Sequence, residues 1–459
     1  MYVSRLALDH YRSWGHCVVD FTDGVNILHG ANGLGKTNIV EAIEVLSTGT
    51  SHRTSSSLPL IERGCASATI RANVSISAPA PGTPASDARH DGSSGAGLGE
   101  TGAAEPDTTY EVTVTARGAN RARINGGSSL YMRDVVGRIP SISFTPEDQR
   151  LVSGDPATRR TLLNQAGAML IGGYADRLQT ISKIARQRAA LLKQLGERDG
   201  YASRQDSILG GLEIWTGQFI EAGVALTRDR QRIVGLLAEP FAEIYRSLAG
   251  GRQEASLSYE PSFDEVLMFD EPMAHISEHF QRIYPGEVAR GANLIGPHRD
   301  DLSLLLDGVP AREFASNGEM WTMALALKMA LFDVVAHARG AKPIVILDDV
   351  FAQLDESRRG QILEFAGGQD QVIITVAAAS DIPAAGGTGG GSGLASGANI
   401  IDVAALKRAQ DEYLHPDLAA FGLAPASPDG DASHEASKAS KAPEPASDAP
   451  ATDGDRAGS

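Results

Sequence analysis

The stretch from Val25 to Leu46 constrains the fold most strongly, because it runs from an apolar strand through a glycine-rich turn into a helix. The turn reads GANGLGKT, a full match to the G-x-x-x-x-G-K-[ST] phosphate loop. Glycines let backbone N–H groups close around phosphate oxygens, and the helix N-terminus adds partial positive charge. Lys36 is predicted to reach the β- and γ-phosphates of a nucleotide, and Thr37 to ligate Mg²⁺. The predicted phosphate-binding residues are Gly30, Ala31, Asn32, Gly33, Leu34, Gly35, Lys36, Thr37 and Asn38.

Composition limits the class of protein. The chain has 459 residues, enough for two or three domains with ordinary cores. Cys17 and Cys65 are its only cysteines, so neither a disulfide framework nor a zinc site is expected. No secretory leader and no membrane-span-length apolar run is present, which predicts a soluble, cytoplasmic protein. The net charge of −16 opposes a polyanionic partner, but arginines are in local excess between Arg150 and Arg232, which leaves room for a basic patch.

Strand and helix patterns predict an α/β head with a helical insertion. Residues 1–150 are predicted to begin the head with a β-meander that turns at Asp23-Gly24 into the phosphate-loop strand. Residues 151–285 are mainly helical, since Asp155-Pro156 is a typical helix start, and we expect them to form a compact lobe. Residues 286–404 return to the head.

Three stretches of low complexity interrupt or follow this pattern. They are rich in Ala, Gly, Pro and Ser and contain few large apolar residues, so they cannot bury enough surface to order themselves. They are a flexible insertion at 78–107, a linker at 383–397 and a mostly disordered C-terminal tail at 405–459.

Two carboxylates follow a second apolar strand. Asp348 and Asp349 come directly after the run Ile344–Leu347, which is typical of a buried parallel strand. Ligands bind at the carboxyl ends of such strands, so Asp348 is predicted to hold Mg²⁺ with Thr37, and Asp349 to orient the attacking water. Lys36, Asp348 and Asp349 are the predicted catalytic residues. The alternative is a pair of solvated carboxylates, and a phosphate loop elsewhere in the chain argues against it.

The segment Ser316-Asn317-Gly318-Glu319 opens the helix before that strand. One interpretation is a capping box, in which Ser316 accepts a hydrogen bond from the third helical N–H and Glu319 reaches back. The other is an ABC-type signature loop, in which Ser316, Gly318 and the helix dipole bind the γ-phosphate of ATP held by a second subunit. Both can hold at once.

Several motifs together resemble those of the RecF family of recombination mediators, which are related to SMC and ABC ATPase heads. They span most of residues 1–376 in the family's order. The matching segments are MYVSRL at 1–6, GLGKTN at 33–38, EAI at 41–43, SHRT at 51–54, FTPED at 144–148, GDP at 154–156, RR at 159–160, GPHRDD at 296–301, LDDVF at 347–351 and LD at 354–355.

The resemblance implies an ABC/SMC-type ATPase that binds ATP and Mg²⁺, dimerises on ATP and hydrolyses it slowly. It also implies binding to single-stranded and gapped or junction duplex DNA. RecO and RecR are the implied partners, with RecA loading at single-strand gaps as the outcome and roles in replication-linked repair and the SOS response. The sequence departs from the family at Glu319-Met320-Trp321, where Gln-Gln-Arg is usual, and at Gln149, where leucine is usual.

The predicted DNA contacts come from the basic helical region: Arg159, Arg160, Arg177, Arg186 and Arg188. Solvated or ion-paired side chains are the alternative for each of them. Two other functions are also open, a small-molecule kinase and a nucleotide-switched scaffold without turnover. The signature-like loop, Leu354-Asp355 and the long helical insertion argue against a kinase.

Overall fold

The computed structural model describes residues 1–54, 56–75, 107–197, 202–378, 381 and 397–414. Its strands are β1 (Tyr2–Tyr11), β2 (Trp14–Asp20), β3 (Gly24–His29), β4 (Ser67–Ser75), β5 (Thr108–Thr115), β6 (Arg121–Ile124), β7 (Leu130–Tyr131), β8 (Ser141–Phe144), β9 (Ala255–Glu260), β10 (Asp301–Leu306), β11 (Val309–Pro310), β12 (Ile344–Asp348), β13 (Gln371–Val376) and β14 (Asn399–Asp402). Its α-helices are α1 (Lys36–Thr48), α2 (Arg150–Ser153), α3 (Pro156–Leu170), α4 (Tyr174–Gly196), α5 (Ala202–Leu248), α6 (Glu265–Met268), α7 (Met273–Arg290), α8 (Ala311–Phe314), α9 (Asn317–Arg339), α10 (Glu356–Gly367) and α11 (Val403–Leu414).

A five-stranded parallel sheet in the order β14-β3-β13-β12-β8 carries the site. Successive residues of its strands point to opposite faces. Ile344 and Ile346 enter the core that contains α1, whereas Val345 and Leu347 enter the core that contains α9. Burial on both faces explains the uninterrupted apolar run, as expected for a central parallel strand.

The N-terminal strands belong to a different, antiparallel sheet in the order β2-β1-β4-β5-β6-β7. The predicted β-meander is therefore wrong at its last step, because β3 pairs with β13 and β14 rather than with β2. Ile27 and Leu28 of β3 are buried in the two opposite cores, which a strand at the edge of a meander would not allow. Helix α1 fills the space between the two sheets.

Helical structure dominates 156–248, as predicted, and α3 begins at Pro156 after Asp155. Helix α5 has 47 residues and so extends about 70 Å at 1.5 Å per residue. It packs against α4 and α9, while a small sheet of β11, β10 and β9 packs against α3, α5 and α8. Residues Met1–Leu414 form one compact unit, and the finer division into head and lobe stays a prediction.

Helix α9 is the one helix of the described residues that is long and apolar enough to cross a membrane on composition alone, and 72% of its apolar window is buried in the protein. It is the core helix behind β12. Residues 403–414 form α11, so the predicted disordered tail is wrong at its start. The rest of that tail, and the predicted insertion and linker apart from Asp107 and Gly397, lie outside the described residues.

Candidate nucleotide-binding site

The phosphate loop joins β3 to α1, as the sequence predicts. Gly30, Gly33 and Gly35 have positive φ angles of 152°, 87° and 96°, which only glycine adopts without strain. Space is also limiting at Gly35, since a Cβ atom there would lie 2.8 Å from Nε1 of Trp14. That Nε1 donates a hydrogen bond to the Gly35 carbonyl over 3.1 Å. Trp14 therefore fixes the backbone of the phosphate loop at Gly35, a role that the motif itself does not reveal.

Lys36 folds back over the loop. Its Nζ donates to the carbonyls of Gly30 and Ala31, the second over 3.1 Å, and the residue is only 7% exposed. Burial lowers the pKa of Lys36, and the carboxylates of Asp349 and Asp348 oppose that shift. The ammonium is thus held by backbone oxygens at the position where phosphate oxygens can replace them.

Asp348 and Thr37 meet, although 311 residues separate them in sequence. The Thr37 hydroxyl donates to Oδ1 of Asp348 over 3.2 Å, and the Thr375 hydroxyl donates to the same oxygen over 2.6 Å. Asp348 is 5% exposed, and burial raises its pKa, although the two hydroxyl donors lower it. A threonine hydroxyl and a carboxylate beside a phosphate loop are the oxygen ligands that Mg²⁺ prefers.

Asp349 is the exposed member of the carboxylate pair. Its φ of 52° is left-handed, and its N–H donates to the Thr375 hydroxyl over 3.0 Å. This conformation separates the two carboxylates, so Asp348 is buried beside Thr37 whereas Asp349 is exposed. The left-handed backbone is uncommon for a residue with a side chain and concentrates at functional sites.

Thr37, Asp348 and Asp349 lie in a cleft of about 790 Å³. Thr50 and the SHRT segment at 51–54 line the same cleft. This segment is tied to α1, since Ser51 and Arg53 both contact the buried carboxylate of Glu41.

Arg12 is a second cation on Glu41, donating from Nε over 2.8 Å. The sequence analysis identified residues 51–54 as a match to the family but assigned them no role. The sequence signal that could have located this cluster is Glu41, an acidic residue among the apolar positions Ile39, Val40, Ala42 and Ile43.

Ser316 and Glu319 form the predicted capping box. The Ser316 hydroxyl accepts from the Glu319 N–H over 3.3 Å, and Glu319 accepts from the Ser316 N–H over 2.7 Å. A Cβ at Gly318 would lie 2.5 Å from the Arg358 guanidinium, which pairs with Asp355. The Leu354-Asp355 segment therefore lies directly beside the signature-like helix tip, and Ser316 remains exposed.

The two departures from the family pattern have local partners. Glu319 accepts from the Gln253 side chain over 2.6 Å, and Gln149 donates to the Asn317 side chain over 3.3 Å. Hydrogen bonds to Gln253 and Ser316 lower the pKa of Glu319, so it is a carboxylate engaged in fixing the helix start.

Two of the five predicted DNA contacts are buried, which contradicts a direct role for them. Arg159 is 4% exposed and pairs with Asp301 over 2.7 Å. Arg188 is 1% exposed and pairs with the fully buried Glu287 over 2.6 Å. Sequence reasoning missed these pairs because each acidic partner lies about a hundred or more residues away.

The other three predicted DNA contacts differ in how exposed and how tightly paired their side chains are. Arg160 is half-buried and donates to the Asp300 carbonyl over 2.8 Å, and Arg177 pairs with Asp229 over 2.6 Å. Arg186 is exposed, and its Nε donates only to the Ser182 carbonyl of its own helix. The structure thus leaves Arg186 as the most available cation of the five.

The fold, the phosphate loop after β3, the carboxylate after β12 and the serine-glycine helix tip define the class: an α/β ATPase head of the ABC/SMC type. The family model described as "RecF/RecN/SMC N terminal domain" matches residues 2–385. The chain belongs to this family, and within it to RecF, since relatives of that name align over most of its length.

The relatives include the "DNA replication and repair protein RecF" of Bifidobacterium adolescentis, 63% identical over 92% of this chain and 95% of the relative. The protein of the same name from Rhodococcus erythropolis is 36% identical over 83% of this chain and 91% of the relative. A solved structure, "RecF-ATPrS in RecFOR pathway", covers 83% of this chain and 94% of its own with a TM-score of 0.68 at 23% identity. That likeness supports the fold.

Proposed function

We propose that the protein is a DNA replication and repair ATPase that binds ATP and Mg²⁺, pairs with a second copy of itself and acts on DNA. The observation that carries the proposal is the hydrogen bond from Thr37 to Asp348, since it joins the phosphate loop to the carboxylate strand. Two likenesses support it. Relatives bear the name "DNA replication and repair protein RecF", and a solved neighbour is described as "the recombination mediator protein RecF-ATP in RecFOR pathway".

In this mechanism the loop amides and Lys36 bind the phosphates, and Thr37 and Asp348 would hold Mg²⁺. When bound, the ion would supply positive charge against the charge that develops on the phosphate oxygens. Asp349, exposed beside them, accepts a hydrogen bond from the attacking water and orients it toward the γ-phosphorus. Loss of the Lys36 ammonium removes a charge-assisted hydrogen bond of about 1.5–3 kcal/mol. Lys36→Met is therefore expected to weaken ATP binding at least about tenfold.

The second copy supplies the remaining contact. Ser316 and Asn317 are exposed at the tip of α9, and Phe314, two residues earlier, is 68% exposed. An exposed helix N-terminus with an adjacent apolar side chain suits a partner's terminal phosphate and the interface around it. The site is thus composite, with the cradle from one copy and the helix tip from the other.

Mixed dimers test this arrangement. A Lys36→Met copy retains its helix tip, and a Ser316→Arg copy retains its cradle, so each alone should be inactive. An equal mixture should recover about a quarter of wild-type ATP turnover, because half of the dimers hold one complete site. Two results together would refute the composite site. The equal mixture would recover no ATP turnover, and light scattering would show the wild-type protein as a monomer at saturating ATP and Mg²⁺.

We further propose that DNA lies against a basic and aromatic cleft of about 690 Å³ that includes Tyr131, Arg133 and Arg186. The Tyr131 ring is 43% exposed, and the guanidinium carbons of Arg121 and Arg133 lie 4.4 Å and 4.5 Å from its centroid. Arg133 also lies 3.2 Å from the exposed Asp176, a pair that is weak in water. A partly exposed ring with two cations beside it suits base stacking and phosphate contact.

Single-strand binding measured against salt concentration distinguishes these roles. Tyr131→Phe should bind almost as wild type, whereas Tyr131→Ala should lose about 1–3 kcal/mol of stacking. Arg133→Gln and Arg186→Gln should each lower the salt slope by about 1. Unchanged affinity for all of these variants would exclude the cleft as the DNA surface.

The family implies the finer roles that we propose for this chain: assistance to RecA at single-strand gaps with RecO and RecR, a contribution to the SOS response, and a cytoplasmic location. DNA-dependent ATP turnover is part of the same proposal. Turnover measured on gapped and on intact duplex, with and without RecR, tests it. Equal rates on the two substrates in the presence of RecR would argue against a gap-directed role.

A further inference from the structure

Three potential metal ligands converge at the junction of α6 and α7. Asp264 and Glu265 lie at the start of α6, and His279 lies on the middle of α7. One donor atom from each lies within 4.8 Å of the other two, and Nδ1 of His279 is 2.7 Å from Oε1 of Glu265. Donor atoms on one Zn²⁺ are about 3–4 Å apart, so a small rotation of the exposed Asp264 side chain completes the set.

Glu265 gives an independent indication of a ligand. The residue is 7% exposed, and its Oε2 has no hydrogen-bond partner among the described residues. A buried carboxylate oxygen that lacks a donor is unfavourable, and buried charges are normally paired or bound to a metal. Within the described ranges, no lysine or arginine forms an ion pair with Asp264 or Glu265, and His279 alone contacts Glu265 as a potential cation.

We propose that Asp264, Glu265 and His279 bind a divalent transition metal, with Zn²⁺ as the best match. One imidazole nitrogen and two carboxylate oxygens suit Zn²⁺ or Mn²⁺, whereas Mg²⁺ prefers oxygen ligands alone. The ion balances the two carboxylates and gives Glu265 Oε2 the partner that the protein does not supply. This site is separate from the nucleotide cleft and does not depend on the proposed function.

The ion would fix the α6–α7 junction. Phe269, just after α6, stacks on His275 of α7 with ring centroids 3.8 Å apart, so the two segments already contact each other on the exposed side. Glu265 and His279 already connect the same two segments through their hydrogen bond, and a metal bound to both would strengthen that connection. The expected role is structural, because the ion would join α6 to α7.

A second cluster, His10 with Glu62 and Cys65, also has ligand spacing and serves as the matched control. There Oε2 of Glu62 already accepts from His10 and Cys65, and His10 is exposed. Among the described residues, this cluster contributes no buried oxygen without a hydrogen-bond partner, so we expect it to bind Zn²⁺ weakly.

The test uses the full chain without a histidine tag, stripped with a chelator and kept in excess Mg²⁺ so that Mg²⁺ fills the nucleotide cleft. Calorimetric titration with Zn²⁺ should show one tight site, and the Tm should rise with the concentration of free Zn²⁺. Loss of an outer partner alone weakens metal sites about 10–100-fold. His279→Ala and Asp264→Asn should therefore weaken binding by at least about tenfold, and Cys65→Ser should leave it unchanged.

Asp264 is exposed, so Asp264→Asn should fold normally, and circular dichroism checks this. Glu265→Gln should also lose Zn²⁺ while keeping or raising the metal-free Tm, because the amide removes a buried negative charge. Wild-type Zn²⁺ affinity in Asp264→Asn and His279→Ala, or loss of binding only in Cys65→Ser, would overturn the proposal. Weak binding spread over several of the 11 histidines, unaffected by every variant, would mean an adventitious ion only and would overturn it equally.

Discussion

Replacing Arg188 with alanine leaves Glu287 as a buried charge without its partner. The Arg188 guanidinium donates to both Glu287 oxygens over 2.9 Å and 2.6 Å and to Asn293 over 2.8 Å. It also lies 4.5 Å from the ring centroid of Phe280. Removal of one member of such a pair costs about 3–5 kcal/mol. That is a large share of the roughly 5–15 kcal/mol that stabilises a typical protein.

The corresponding change in Tm follows from the size of the unit. Unfolding entropy is about 2.1 cal/mol/K per residue. Since Met1–Leu414 is one compact unit, the loss corresponds to a Tm lower by about 3–6 °C if it unfolds in one step. Differential scanning calorimetry measures this directly. Arg188→Met combined with Glu287→Met should recover most of the loss, because it removes both buried charges.

Arg186 is the matched control, two residues away on the same helix. Arg186→Ala should change stability by no more than about 0.5 kcal/mol, because the side chain is exposed. It should instead reduce the salt dependence of DNA binding. An Arg188→Ala protein with wild-type Tm and a lower salt slope would refute the assignment of Arg188 to the core and return it to the DNA surface.

Three further perturbations test the nucleotide site and its support. Gly35→Ala places a Cβ atom 2.8 Å from Trp14 at a φ of 96°. The affinity for ATP should therefore fall by at least about tenfold, which equilibrium binding of a fluorescent ATP analogue would measure. His52 is partly buried, which lowers its pKa, but its contact with Glu44 outweighs burial and raises the pKa above 6.5. The resulting stabilisation is complete below pH 6.5 and lost as pH rises through the raised value, so the Tm difference between wild type and His52→Gln should shrink with increasing pH. Lys407 lies 4.0 Å from the Trp14 ring, which contacts the phosphate loop. Lys407→Ala should therefore raise the KM for ATP with little change in kcat, whereas Lys407→Arg should retain the wild-type KM. Equal KM values for the wild type and both variants would argue against a role of Lys407 in supporting the loop.

Local patterns in the sequence were enough to predict the local geometry of the candidate site. The phosphate loop, the apolar strand before Asp348 and the capping box at Ser316 each depend on residues that are close in sequence. The contact between Thr37 and Asp348 was also predictable, because parallel strands place their carboxyl ends at the same edge of a sheet.

The partners of individual strands and arginines were not predictable in the same way. Whether Arg188 faces solvent or the core depends on Glu287, and no local pattern encodes that distance. The sheet to which β3 belongs depends likewise on β13 and β14, more than 340 positions further along the chain. Helix α11 was missed because the low-complexity composition that follows it dominated the interpretation of the C-terminal region.

The place of β3 between β13 and β14 has a consequence for biosynthesis. The strand that leads into the phosphate loop is made among the first 30 residues, but both of its neighbours lie between residues 371 and 402. A nascent chain on the ribosome therefore holds its nucleotide loop without a completed sheet for most of translation. Polypeptides released before β13 and β14 are made would lack the completed sheet and so a formed nucleotide pocket. Only chains whose synthesis has passed the last strand would then bind ATP.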